Sequence, residues 1–210
     1  MSNFLASKLS LALADNKKVF WLLTGGSTAG VAVEAAKLIA NKNLANLTVS
    51  LTDERYGPIG HIDSNWTLLE SLGLKLTGAY LNPVLTGQPF DKTTIAYTNF
   101  LRGAIRPECY KIALIGVGPD SHIAGIKPKS PAVYSNDLAV GYEWDDFSRI
   151  TMGLQAIKKL DCAVSYLQKN TKEQALKNLQ ANLPVERFPS QALKQVKQAI
   201  IFNDLIGEKI

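Results

Sequence analysis

His122 is one of two histidines in the 210-residue chain, and Asp120 stands two residues before it in GVGPDSHIAGIKP. An imidazole titrates near neutral pH and can take a proton from water, while a carboxylate beside it orients the ring and favours its charged form. His122 is therefore a candidate general base with Asp120 as its neighbour. The plainer alternative is a loop histidine beside a helix-capping aspartate. His61, alone in a second polar loop, is expected to be exposed rather than catalytic.

Three further polar clusters carry groups suited to an anion. GGST (25–28) follows an apolar run and precedes a helical pattern. The free amides of a first helical turn, the helix dipole and the Ser27 and Thr28 hydroxyls would then surround a phosphate beside Gly25 and Gly26. The cluster is neither a P-loop, since no GK[ST] follows, nor a GxGxxG fingerprint. A tight glycine turn with Ser27 or Thr28 capping the helix is the competing account. DERYGPIGHIDSN brings Asp53, Glu54 and Arg55 to the end of another apolar run; either carboxylate could pair with Arg55, and Ser64 or Asn65 could cap the next helix. KNTK (169–172) offers Lys172, and FSRITM offers Arg149, each either an anion partner or a solvated cation.

The elements that must position these groups follow from the apolar pattern. VFWLLT (19–24), LTVSLT (47–52), KIALIG (111–116) and CAVSYL (162–167) are short, apolar and rich in β-formers, as fully buried strands are. Helical spacing follows the first of them at Ala29, Ala32, Val33, Ala36, Ile39 and Ala40, and recurs over 65–72, 93–105, 154–159 and 171–180. Two short strands, LAVGY and RITM, flank the acidic turn EWDD (143–146), which is either a lid or a solvated loop. A last strand is expected over 199–202. Strands alternating with helices predict a Rossmann-like, doubly wound α/β fold with a mostly parallel sheet and helices on both faces. In such sheets ligands bind beyond the carboxyl ends of the strands, where all four polar clusters fall.

Composition narrows the function classes. With 46% hydrophobic residues the chain can bury a substantial core, and residues 1–210 are expected to form one domain. No apolar stretch approaches the ~18 residues of a membrane span, and MSNFLASKLSLALADNKK lacks the pattern of a signal peptide, so a cytoplasmic protein is expected. Cys109 and Cys162 form no CxxC or Cys/His spacing, which points to no metal site and no disulfide; Cys162 is expected in the core. The net charge of +5 is dispersed rather than clustered in an arm, so mild attraction for anionic substrates is expected rather than nucleic-acid binding.

Together GGST, DERYGPIGHIDSN, GVGPDSHIAGIKP, RIT and the lysine before EQAL resemble the 6-phosphogluconolactonase branch of the glucosamine-6-phosphate isomerase/6-phosphogluconolactonase family, over roughly residues 19–204. The resemblance implies metal-independent hydrolysis, without a cofactor, of a small sugar-phosphate lactone, 6-phospho-D-glucono-1,5-lactone, to 6-phosphogluconate in the oxidative pentose phosphate pathway. It implies His122, Asp120, Arg55 and Asp53 as the catalytic set, and Gly25, Gly26, Ser27, Thr28, Arg55, Lys172 and Arg149 around the phosphate. Two departures stand out. Ser121 replaces the glycine of the family's DGH, and would be strained by ~1 kcal/mol or more if that position needs a positive φ. Ala29 replaces the proline of GGSTP. The deaminase branch carries a glutamate where this chain has Lys127, which disfavours ring opening and deamination. A non-catalytic sugar-phosphate binder and a nucleotide-binding Rossmann enzyme are the remaining alternatives.

Overall fold

The computed structural model describes residues 1–204, with the backbone alone at 169 and 170. Helix α1 (Ser2–Ala14) buries Leu5, Ala6, Leu9 and Ala12 on one face and packs on α2 (Ala29–Ile39) and β1 (Lys18–Leu23). From there the chain runs β2 (Leu47–Leu51), β3 (Asp53–Arg55), α3 (Asn65–Ser71), β4 (Tyr80–Leu81), α4 (Phe90–Ala104) and β5 (Cys109–Leu114). The second half holds α5 (Pro131–Tyr134), β6 (Ala139–Tyr142), β7 (Arg149–Met152), α6 (Leu154–Ile157), β8 (Cys162–Leu167), α7 (Lys169–Gln180) and β9 (Ala199–Asn203).

Six strands form one sheet in the order β4-β2-β1-β5-β8-β9, and each neighbouring pair is parallel. Strand β1 is buried from Val19 to Leu23 because helices cover both of its faces. Phe20, for example, meets Phe100 of α4 edge to face at 5.7 Å. The expected doubly wound fold is therefore present. From β1 the chain moves outward to β2 and β4, then returns to the other side of β1 for β5, β8 and β9. The connections leaving β1 and β5 thus diverge, and a crevice opens between them at the carboxyl edge.

A second sheet, β3-β7-β6, stands beside this edge and was not foreseen as such. RITM and LAVGY do form strands, but their partner is DER, which pairs antiparallel with β7 as Asp53 with Thr151, Glu54 with Ile150 and Arg55 with Arg149. Three polar residues carry no alternation signal, so only the tertiary pairing reveals the strand. Helix α7 begins two residues before the expected 171 and is non-helical at Lys172, with φ −129° and ψ 15°. Both cysteines are free, Cys162 in the core as expected. No helix of the described residues is long and apolar enough to cross a membrane.

Glu54 has no solvent exposure and holds this edge together. Its Oε1 accepts the backbone N–H of Arg55 at 2.8 Å and of Asn65 at 2.6 Å, while Oε2 accepts the Ser64 hydroxyl at 2.9 Å and the Trp66 N–H at 3.1 Å. Ser64 in turn accepts the Thr67 N–H, which makes it the N-cap of α3, so the first three amides of that helix are satisfied. Burial pushes the Glu54 carboxyl up, and the four donors pull it back part of the way. The ion pair that either carboxylate could have made with the Arg55 side chain does not form among the described residues; of Arg55, Glu54 meets only the backbone amide. In Glu54→Gln the amide NH₂ is best placed where Oε2 was, so that the Ser64 hydroxyl can turn to accept from it while the Trp66 N–H is left unpaired, at about 1–3 kcal/mol. The expected result is a loss of roughly 1–3 kcal/mol, seen as a lower urea midpoint at unchanged m-value.

Candidate active site

The crevice between β1 and β5 gathers nearly all of the expected site residues. Gly25 ends the extended path from β1, Gly26 turns the chain with φ +63°, and a short 3-10 turn, Gly26–Thr28, leads into α2. Neither Ser27 nor Thr28 spends its hydroxyl on capping, so the plain helix-cap account of GGST does not hold. Gly25 must lack a side chain, because a Cβ there would lie 2.0 Å from Oδ1 of Asn65. Asn65 donates from Nδ2 to the Asp53 carbonyl at 2.8 Å and to its carboxylate at 3.4 Å, which leaves Oδ1 buried without a partner beside the glycine turn. In sequence Asn65 was legible only as a capping residue.

Opposite this turn, the small sheet places Arg55 and Arg149 directly across from each other. Like charges at such a position repel. Both guanidiniums lie over the Phe147 ring, 5.2 and 5.5 Å from its centroid. Arg55 donates from Nη1 to the Asp63 carbonyl at 2.9 Å, and Arg149 pairs from Nη2 with Asp146 at 2.6 Å. The Nε of each arginine is nonetheless buried without a partner. The acidic turn 143–146 thus supplies a counter-charge to Arg149, a contact the sequence did not specify. His61, expected to be exposed, is half-buried and braces the Arg55 carbonyl through Nε2 at 2.9 Å. Lys172 enters from α7, and burial pushes its ammonium below the usual lysine range.

His122 lies on the other wall with Nδ1 2.6 Å from Asp120 Oδ1. Burial alone would push the Asp120 carboxyl up, but hydrogen bonds from the His122 ring and backbone, with the charge of Lys127, hold it well below the usual carboxylate range. An ionised Asp120 accepts only, so Nδ1 carries a proton toward it, and in the neutral imidazole the lone pair is then on Nε2. Asp120 stands behind the ring rather than in the cleft wall. The loop geometry depends on Gly118, since a Cβ there would lie 2.0 Å from the imidazole Cε1. Ser121 has φ +65°, in the left-handed region that its glycine-to-serine departure made questionable. It is fully buried, its hydroxyl accepting from Asn178 Nδ2 of α7 at 3.0 Å.

The arrangement combines an oriented imidazole, backbone amides and hydroxyls at a turn, and cations with unspent donors. Among the described residues no cluster of three or more His, Cys, Asp or Glu is placed to hold a metal ion. In Gly118→Ala the added methyl must push the imidazole off its seat. With His122 and Asp120 both intact, turnover is expected to fall about 100-fold, as for a misplaced reacting group, while the unfolding midpoint shifts little. Steady-state kinetics beside thermal unfolding checks this.

The sequence model for glucosamine-6-phosphate isomerases/6-phosphogluconolactonase matches residues 1–202. A 6-phosphogluconolactonase of Thermotoga maritima is 30% identical over 124 residues, covering 57% of this chain and 54% of that protein. The match therefore spans just over half of the relative's length. The 6-phosphogluconolactonase structure from Shewanella baltica superposes with TM-score 0.82 at 18% identity, over 96% of this chain and 92% of that one. A monomeric glucosamine-6-phosphate deaminase superposes with TM-score 0.77 at 18% identity, over 97% and 92%. At these identities the structural likeness speaks for the fold alone. The match of the sequence model across almost the whole chain, with the β1/β5 crevice built from its polar motifs, places the chain in the glucosamine-6-phosphate isomerase/6-phosphogluconolactonase family.

Proposed function

We propose that the chain hydrolyses 6-phospho-D-glucono-1,5-lactone to 6-phosphogluconate. The observation that carries this is the Asp120–His122 pair, 2.6 Å apart, facing a cleft whose other walls supply Arg55, Arg149, Lys172 and the glycine turn. A volume of ≈ 290 Å³ suits one small molecule rather than a dinucleotide, being at the lower end of small-molecule sites. The relatives in the lactonase branch support the choice of substrate.

The phosphate, with a charge near −2, sits against the amides of Gly26, Ser27 and Thr28 and the hydroxyls of Ser27 and Thr28. Arg55 and Lys172 neutralise it, with Arg149 opposite Arg55, so the unspent Nε donors acquire an acceptor. That grip fixes the lactone carbonyl near His122. Nε2 takes a proton from water, the water oxygen bonds to the carbonyl carbon, and the π pair moves to the carbonyl oxygen. Collapse re-forms the double bond and breaks the ring C–O bond, whose oxygen leaves with the proton that His122 returns. Asp120 stabilises the transient imidazolium. Asp53 and the Asn65 amide form the wall between the phosphate end and the base.

Two measurements test this. With freshly generated lactone at mildly acidic pH, where background hydrolysis is slower, the native protein should turn over and His122→Ala should lose about 10²–10⁴-fold in kcat/KM. Ammonia release from glucosamine 6-phosphate would instead select the deaminase chemistry, and sugar-phosphate affinity without turnover a binding protein. The second concerns Lys172, whose protonated form holds the phosphate. Because its pKa is lowered from 10.5, affinity for 6-phosphogluconate should decline as pH rises through that lowered value, before 10.5 is reached. Lys172→Met should bind more weakly at neutral pH and show a shallower alkaline decline in calorimetric titrations.

A further inference from the structure

Lys127 is a cation of the cleft that the proposed chemistry leaves without a task. It lies seven residues beyond Asp120 and lines the same crevice as His122. Its side chain is only 19% exposed, so its ammonium is largely withdrawn from water. One carboxylate oxygen, Asp120 Oδ2, lies 3.4 Å from Nζ, longer than the ~2.7–2.9 Å of a well-formed charged hydrogen bond. The other near atom is His122 Nδ1, also at 3.4 Å, and it cannot accept because it donates to Asp120. An ammonium has three donors to place, and here one is weakly engaged.

Position separates Lys127 from the other cations. Among the described residues Asp120 pairs with His122 and Lys127 alone, whereas Arg149 pairs with Asp146 and both arginines lie over Phe147. Lys127 is thus the cation at the base rather than at the phosphate end. We propose that Lys127 is a catalytic residue that donates to the charge formed at the lactone carbonyl: first the oxyanion of the tetrahedral intermediate, then the carboxylate of the product. The inference rests on the lactonase proposal. The chemistry fits the position: attack by water puts a negative charge on the carbonyl oxygen beside His122, and ring opening leaves a carboxylic acid that releases its proton to solvent and becomes a carboxylate there. The neutral lactone offers Lys127 only a weak acceptor, so the interaction strengthens along the reaction and accelerates it. Arg55 and Lys172 hold a phosphate that is charged throughout, and contribute mainly binding.

The test separates the two anionic ends of the product. Dissociation constants of native protein, Lys127→Met and Lys127→Gln are measured by calorimetry for 6-phosphogluconate and for glucitol 6-phosphate, which has the phosphate and no carboxylate. Steady-state kinetics on the lactone and thermal unfolding accompany them; Lys127→Gln keeps the test open should the methionine variant not fold. The expected result is about 10–100-fold weaker binding of 6-phosphogluconate, glucitol 6-phosphate unchanged within about twofold, and a similar fall in kcat with little change in KM. Equal weakening of both ligands would make Lys127 a phosphate cation and overturn the proposal. Unchanged binding and turnover would reduce it to a partner of Asp120. Native protein that binds neither compound sinks the sugar-phosphate reading itself, and the proposal with it.

Discussion

A carboxylate that meets no water must find its hydrogen-bond donors inside the protein, and Glu54 finds four of them. They come from its own strand and from the start of α3, eleven residues and a proline-containing loop away. The bond set therefore dictates where that loop begins and ends. Asp53 and Arg55 flank Glu54 in β3 and leave it on the opposite side of the strand, by the alternation of side chains. Asn65 is the first residue of the helix that Glu54 anchors. Each of the three residues facing the crevice thus takes its place from a neighbour that does not. Removing the carboxylate would leave the glycine turn intact but free its opposing wall.

The second constraint is electrostatic. Four basic side chains share a cleft with two aspartates, Asp53 and Asp146, with Asp120 just behind its wall, and a chain of net charge +5 supplies no surplus of anions nearby. The resting protein manages this through partial pairings. Arg149 has Asp146, Lys127 has a long contact to Asp120, Arg55 has a backbone carbonyl, and both arginines rest on an aromatic face. None of these exhausts the donors, as the two unpartnered Nε groups make plain. Such a cleft is preorganised for an anion in the sense that the repulsion has already been met in folding, and any bound anion would lower it.

Much of the scaffold was legible because buried parallel strands write themselves into sequence as apolar runs. The run 162–167 coincides with β8, and the others fall within a residue or two of their strands. The polar clusters at the strand ends were legible for the same reason, as abrupt changes of character. What escaped was whatever depends on partners far along the chain. DER could not be recognised as a strand without β7, Glu54 as a cap without α3, or Asp146 as the partner of Arg149 without the fold of the acidic turn. Lys127 was visible only as a departure from the deaminase pattern, because nothing local predicts that it folds back over Asp120. Ala29, the other departure, costs little shape: its φ of −55° is close to what proline would impose, so the loss is one of rigidity in the unfolded chain.

Ser121 shows how the remaining departure is absorbed. Holding a serine at φ +65° costs roughly 1–2 kcal/mol that glycine would not incur. Its hydroxyl gains a bond from Asn178, worth about 0.5–1.5 kcal/mol, so the exchange is close to neutral in stability. The gain is connectivity. Ser121 also offers its carbonyl to the Ser190 amide, and Asn178 offers its own to Gln191, so the loop that carries His122, the helix that carries Lys172 and the segment 189–195 are bound into one unit. Glycine at the same position would keep the backbone bond to Ser190 but lose the direct bond between the His122 loop and the helix that carries Lys172. Under the proposed lactone hydrolysis, a site whose two ends are fixed to each other would hold a substrate by its phosphate in the one register that puts the carbonyl beside His122, and the serine is compatible with that chemistry.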